Sequence, residues 1–273
     1  MAYDLGVINE TLAEFDRLVG SACTLPWEGK LKVGVDLGTA NIVVSVVDER
    51  GKPVAGMTTP SKVVRDGIVV DYIGAVTQVA RMKRELETLL GQHLPTAATA
   101  IPPGIIPGNV RCIQNVVQGA GFEVSAVIDE PTAAASVLGI KSGAVVDVGG
   151  GTTGVSILHD GEVIFTGDEP TGGTHMTLVL AGYYKCSTDE AEEMKKDPGR
   201  EGETFPVVSA VVEKMATIVK GYIRDYNVDT LYVVGGACCF RQFEDVFSNI
   251  TGVPTVKPAV PLLVTPLGIA INA

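Results

Sequence analysis

The chain has 273 residues, 46% of them hydrophobic, and a formal net charge of −11 at pH 7. So much apolar material excludes a disordered chain, and no apolar run approaches the ~20 residues of a membrane span. An acidic balance with no lysine or arginine cluster argues against nucleic acid and anionic membrane surfaces as partners. The length suits two domains of ~100–200 residues each.

In chain order, "MAYDLGVINETLAEFDRLVG" carries acids where a signal peptide has a basic region. Leu5, Ile8, Leu12, Phe15 and Val19 recur at helical spacing. They predict an amphipathic helix within an N-terminal segment 1–30, with Asn9 as its candidate cap. Packing on the body of the protein is the preferred reading, and a docking peptide for a partner is the alternative. Strands are expected at 32–36 and 42–48, then a turn at "ERGKPVAG" and a strand pair about Asp66-Gly67 in "VVRDGIVVDY". A helix over 75–91 ends at Gly91. "TAATAIPPG" reads as a buried strand entering a proline loop, followed by a helix at 109–121, the strand "VSAVID" and the helix "PTAAASVLG".

The second half repeats this plan. A strand pair is expected over 144–165, then the loop "TGGTH", a helix at 174–184, and a short helix in "STDEAEEMKKD" capped by Ser187 or Thr188. A long apolar stripe runs through residues 208, 211, 212, 215, 219, 222 and 223 of a helix spanning 206–226. The strand "TLYVVGG" and the helices "FRQFEDVFSNI" and "TPLGIAI" complete the chain. Five cysteines (Cys23, Cys112, Cys186, Cys238, Cys239) contain no C-x-x-C, which suggests a reducing cytoplasm, with Cys238 and Cys239 read as small buried residues. His93, His159 and His175 lack metal-ligand spacing.

Two stretches carry the argument. "VGVDLGTANIVVSVV" (33–47) and "VVDVGGGTTGVSIL" (145–158) align without a gap, so that Asp36 falls on Asp147, Gly38 on Gly149 and Ser45 on Ser156. "VLGI" at 137–140 likewise matches "PLGI" at 266–269. The repeat predicts two homologous lobes, 31–140 and 141–273, crossing at "GIKSGA" (139–144). The C-terminal helix of the second lobe is a candidate to cross back to the first. Glycine turns expose successive backbone N–H groups to phosphate oxygens. An aspartate at the head of such a turn suits hydrated Mg²⁺, which shares its remaining ligands with the phosphates. One such turn is weak evidence; two in register predict a clamp on a triphosphate.

Further along, "VIDEPTAAA" places Glu130 before Pro131 at a helix start. Glu130 is either the acidic N-cap of that helix or a cleft residue that orients water for attack on a γ-phosphate. "VVGGA" (233–237) allows close approach of a base or ribose, or is a plain strand-to-helix turn. Glu192 and Lys195 in "AEEMK" are a solvated i,i+3 pair or a grip on ribose hydroxyls.

Together "VGVDLGTAN", "VIDEPTAAA", "VVDVGGGTTGVSIL" and "VVGGA" resemble the phosphate 1, connecting, phosphate 2 and adenosine motifs of the actin/Hsp70/sugar-kinase ATPase superfamily. "VRDGIVVDY", "GGTHMT" and "AEEMK" are closer to its bacterial actin-like branch. The overall wording is similar to the ethanolamine-utilisation J family, Hsp70-like proteins of bacterial microcompartment operons. This implies a duplicated α/β fold of actin-like (ribonuclease H-like) type, two lobes flanking a nucleotide cleft, with the small subdomains trimmed. By the same resemblance Asp36 and Asp147 hold Mg²⁺ through water, and Glu130 orients the attacking water. Gly38, Thr39, Asn41, Gly149, Gly150 and Gly151 form the phosphate cradle. Thr152 joins the catalytic set and Thr153 the cradle; which of the two faces the γ-phosphate stays open. Gly173, Glu192, Lys195, Gly235, Gly236 and Ala237 become the nucleoside contacts.

The implied function is that of a cytoplasmic, ATP- and Mg²⁺-binding chaperone or reactivating factor. It would hydrolyse ATP slowly and serve an ethanolamine-utilisation enzyme or shell component of a microcompartment, with a homodimer as a candidate assembly. A nucleotide-binding scaffold without turnover is the first alternative. A small-molecule kinase with Asp71 or Asp129 as base is the second. Three departures from Hsp70 bear on turnover and clients. Its catalytic lysine has no counterpart, with Lys62 badly placed; the acid near its adenosine site is Leu262; and no peptide-binding domain is expected.

Overall fold

The computed structural model describes residues 5–65 and 67–273, so Asp66 of the expected turn lies outside the described residues. Helix α1 (Gly6–Val19) buries Leu12, Phe15 and Leu18 along one stripe. Asn9 does not cap it. It lies within the helix, and its side-chain oxygen accepts the N–H of Ala259 at 2.8 Å. Regular structure stops at Val19, short of the predicted 1–30 segment.

Strands β1 (Lys32–Leu37) and β2 (Asn41–Val47) pair antiparallel, with Leu37 opposite Ile42. The expected turn at "ERGKPVAG" shrinks to its first residues, where Asp48 Oδ1 accepts N–H from Arg50 and Lys52, each at 2.9 Å. Pro53 then opens a third strand, β3 (Pro53–Pro60), at the sheet edge, where proline's missing N–H is tolerated. A small ribbon of β4 (Val64–Arg65) and β5 (Ile68–Val69) follows. Helix α2 (Tyr72–Leu90) starts early because Asp71 accepts the N–H of Gly74 at 2.9 Å, and it ends on Gly91 at φ +63°. Strand β6 (Thr96–Ile101), α3 (Pro107–Gly119), β7 (Glu123–Asp129) and α4 (Glu130–Leu138) complete the first half.

The second half opens with three strands rather than two: β8 (Gly143–Val148), β9 (Thr153–His159) and β10 (Glu162–Glu169). Helices α5 (Gly173–Tyr184), α6 (Thr188–Lys196) and α7 (Glu201–Ile223) follow. Ser187 is the cap of α6, in a reciprocal box with Glu190. Helix α7 begins before Pro206, which sits inside it and not at its start. Strand β11 (Leu231–Val234), α8 (Phe243–Thr251), β12 (Thr255–Val256) and α9 (Val264–Ile271) end the chain. None of the helices among the described residues is long and apolar enough to cross a membrane.

The two sheets have one order. The first reads β3-β2-β1-β6-β7 and the second β10-β9-β8-β11-β12. The antiparallel pairs are the early strands, and the later ones join in parallel. The closing helices are exchanged between sheets: α9 packs on β1 and β2, while α4 packs on β8 and β9 and crosses α9. Two glycines permit this approach. A Cβ on Gly268 would lie 1.9 Å from Ala133 O, and one on Gly34 would lie 2.4 Å from Ala270 N. Matching hydroxyls fasten both helices. Ser45 Oγ donates to Pro266 O at 2.9 Å, and Ser156 Oγ donates to Asp129 Oδ1 at 3.2 Å. Leu12, Phe15, Leu138 and Leu267 fill the seam fully buried, each stabilising by ~1.5–3 kcal/mol.

Candidate functional site

A cavity of about 510 Å³ runs between the halves. The β1–β2 turn enters from one side with Asp36, Gly38, Thr39 and Asn41, and the β8–β9 turn from the other with Asp147, Gly149, Gly150, Gly151 and Thr152. The turns nearly touch, since a Cβ on Gly150 would lie 3.3 Å from Thr39 Cβ and 3.5 Å from Ala40 Cβ. The second turn is closed by Gly149 N–H donating to Thr152 O at 3.0 Å. Its carbonyls hold the start of α5, as Gly149 O accepts from Gly173 at 2.9 Å and Gly150 O from Thr174 at 2.8 Å. Only glycine fits before that helix, because a Cβ on Gly172 would come within 2.7 Å of both carbonyls.

The two threonines differ in where they face. Thr152 lines the cavity. Thr153 is fully buried and does not; its Oγ1 donates to Thr171 O at 2.5 Å, because alternation along β9 turns it into the protein.

Three carboxylates meet in the cleft. Burial raises Asp36 to about 7, with the charge of Asp147 adding to it. Burial likewise raises Asp147 to about 6, against a hydrogen bond from Thr265 Oγ1 that lowers it. Glu130 is held well above the usual carboxylate range by burial first, then by Asp147, Asp36, Asp168 and Asp129. The basic residues on the cavity wall are Lys195 and Lys196, on α6. Among the described residues no cluster of three or more His, Cys, Asp or Glu could cage a metal ion. Carboxylates without a cationic partner, facing glycine turns, fit a hydrated Mg²⁺ whose other ligands are phosphate oxygens and water.

Gly173, Glu192, Lys195, Gly235, Gly236 and Ala237 line the same cavity. Glu192 and Lys195 are not a solvated surface pair. Lys195 Nζ donates to Glu192 at 2.6 Å, Thr177 Oγ1 at 2.9 Å and Gly173 O at 3.1 Å, with only 12% of its side chain exposed. Burial lowers Lys195, with Glu192 opposing. Burial alone would raise Glu192, but Lys195 and Thr177 hold it below its ordinary value. Gly235 sits at φ +91°, where a Cβ would lie 2.4 Å from Asp147 Oδ1. Leu262 lines the cavity and covers Gly236, whose Cβ would lie 2.9 Å from Leu262 Cδ1.

Other placements narrow the chemistry. Lys62 is exposed and bridges to Asp189 at 2.7 Å, away from the cavity wall. Asp71, the first candidate for a kinase base, caps α2, and Asp129, the second, caps α4 by accepting from Thr132 at 3.0 Å; neither lines the cavity. Cys238 is buried, but Cys239 is exposed and on the cavity wall, against the expectation of a buried pair. Sequence reasoning missed Thr265 and Phe240. The signal for Thr265 was present, since Thr265-Pro266 opens α9 as Glu130-Pro131 opens α4.

Two sheets of one order, exchanged closing helices and opposed glycine turns define an actin-like ATPase fold. A family model for Hsp70 protein matches residues 70–199, and one for cell division protein FtsA matches residues 144–268. The crystal structure of MreB5 of Spiroplasma citri bound to AMPPNP has a TM-score of 0.70 at 17% identity, over 88% of this chain and 95% of that one. Ethanolamine utilization protein EutJ of Escherichia coli (strain K12) is 44% identical over 244 residues, covering 89% of this chain and 86% of its own. The crystal structure of EutJ from Carboxydothermus hydrogenoformans has a TM-score of 0.92 at 48% identity, over 98% of both chains. The chain belongs to the EutJ family of ethanolamine utilization proteins.

Proposed function

We propose that the cleft binds ATP with Mg²⁺, that the chain hydrolyses it slowly, and that nucleotide state sets the angle between the halves. Through that angle it acts as an Hsp70-like chaperone or reactivating factor. Its client is an enzyme or shell protein of a cytoplasmic microcompartment that processes ethanolamine. The observation that carries the reading is the meeting of the two aspartate-headed glycine turns across one cavity, with Glu130 beside them. AMPPNP in the MreB5 relative, which has the same fold, supports a nucleotide here.

Bound Mg²⁺ neutralises charge on the terminal phosphates. Asp36 and Asp147 would hold its water shell from opposite halves. Thr265 orients Asp147, Thr152 and the backbone N–H groups of Gly150 and Gly151 face the phosphates, and Glu130 positions the attacking water. Burial and the neighbouring carboxylates raise the affinity of Glu130 for a proton, which makes its ionised form a stronger base toward that water. Glu192, Lys195 and Gly235–Ala237 bound the nucleoside, with Leu262 as an apolar wall. Cleft closure then shifts which surface a client meets.

Among the described residues the lysines on the cavity wall, Lys195 and Lys196, both stand on α6, Lys195 is bonded to Glu192, and the wall of the first half carries none; this favours a second reading, a nucleotide-gated scaffold with negligible turnover. Calorimetry of ATP with Mg²⁺, beside phosphate release, separates the two. Binding with release that Glu130→Gln abolishes supports the ATPase; binding without release supports the scaffold. No binding overturns both.

A further inference from the structure

Away from the cleft, a second cavity of about 620 Å³ opens along β3. β3 is the outermost strand of its sheet. Near its start, Leu25 N–H donates to Val54 O at 2.9 Å and covers the edge. Among the described residues, the backbone of 56–59 has no partner beyond the β2 ladder. The end of α1 lies over one face of this edge and α2 under the other, since their buried stripes join separate cores. Gly56 lets α1 come this close, because a Cβ there would lie 2.7 Å from Phe15 and 2.8 Å from Val19.

The groove so formed has an apolar floor of Val19, Met57 and Leu89 and a rim of Arg81, Arg84 and Glu85. Arg81 donates to Thr59 Oγ1 at 3.2 Å and pairs with Glu85 at 3.7 Å. Arg84, one turn away on the same helix, is exposed and forms no ion pair among the described residues. In a chain of net charge −11, two arginines beside an open strand edge give this place a local sign opposite to that of the whole. Long open edges are usually blunted; this one is instead lined and flanked.

We propose that the open edge of β3 docks an extended, acidic segment of a partner protein. The segment adds to the sheet as a further strand, seats an apolar side chain on Met57 and Leu89, and sets a carboxylate against Arg84. Main-chain hydrogen bonds to residues 56–59 supply the affinity, and the arginines choose the charge. A second copy of the chain fits worse. Edge-to-edge pairing would bring α2 beside α2 and oppose the arginines of each copy. The inference stands apart from the nucleotide reading.

The test titrates the full chain with a fluorescent peptide of alternating valine and glutamate, and with the same peptide carrying lysine for glutamate. Hydrogen exchange reads residues 56–59 in parallel. The acidic peptide is expected to bind and to protect those amides. Arg84→Glu should weaken it roughly tenfold or more, and the lysine peptide should bind the wild type at least as poorly. Equal binding of both peptides, no binding of either, or protection elsewhere would overturn the proposal. So would dimerisation of the chain that protects the same amides.

Discussion

Helices α4 and α9 hold the same place in the two halves and do different work. Each follows the last strand of its half, carries a proline in its first turn, and packs on the other half's sheet. Yet α4 offers Glu130 to the cavity, while α9 offers Thr265, which spends its hydroxyl on Asp147. A buried carboxylate with a raised pKa can move a proton; a hydroxyl bonded to a neighbour's carboxylate can only hold it in place. The duplicated halves supply the symmetry of the clamp. On the proposed function, the difference at these two positions would give the chemistry a direction.

The sharpest way to break this comparison is to treat both positions alike. Glu130→Gln should lower phosphate release about a hundredfold or more while ATP binding by calorimetry is retained. Thr265→Val should lower it by less than roughly tenfold, as expected for one hydrogen bond. Equal losses would mean that the helices are functionally equivalent. Next in size is the crossing itself. Gly268→Ala forces a methyl against Ala133 O and should cost about 3 kcal/mol in urea unfolding. Gly139→Ala, at φ +63° at the end of α4, should cost about 1 kcal/mol from left-handed strain alone.

The carboxylates give a smaller, pH-dependent effect. Asp36 and Asp147 titrate at about 7 and about 6 in the fold, against 3.8 ordinarily. The folded state therefore holds more protons than the unfolded one between pH 4 and 7. Stability without Mg²⁺ or nucleotide should be full below about pH 4 and fall as pH rises through 7. Asp36→Asn should flatten that fall in denaturation curves run across the range. Smallest of all, Thr265→Val removes the bond that lowers Asp147. The part of the fall that belongs to Asp147 should then move to higher pH by less than about one pH unit, toward that of Asp36.

Much of this was legible in the sequence because the repeat compared the chain with itself. The paired aspartates, the glycines of both turns and Glu130 line the cavity that their spacing anticipates. What escaped depended on distance or on local signals that mislead. Pro53 and the glycines around it read as turn residues, since nothing local says that this stretch is a sheet edge. Pro206 read as a helix start although the helix already runs at that point. Asn9 looked like a cap because its partner, Ala259, is at the other end of the sequence. Thr153 and Thr152 are neighbours of one type, and only strand alternation sends one inward. Glu192 and Lys195 read either as a solvated pair or as a ribose grip, and spacing alone could not choose, because the burial of Lys195 comes from α5 packing beside α6.

The exchange of closing helices also bears on how the chain is made. The first sheet is complete once residue 129 has been synthesised, but the helix that covers β1 and β2 spans 264–271. A nascent chain on the ribosome therefore carries that apolar face uncovered while the whole second half is translated, at ~5–20 residues per second. Gly34 and Val43 wait on that face for Leu267 and Ala270, so the final turns of the chain decide whether its beginning is folded.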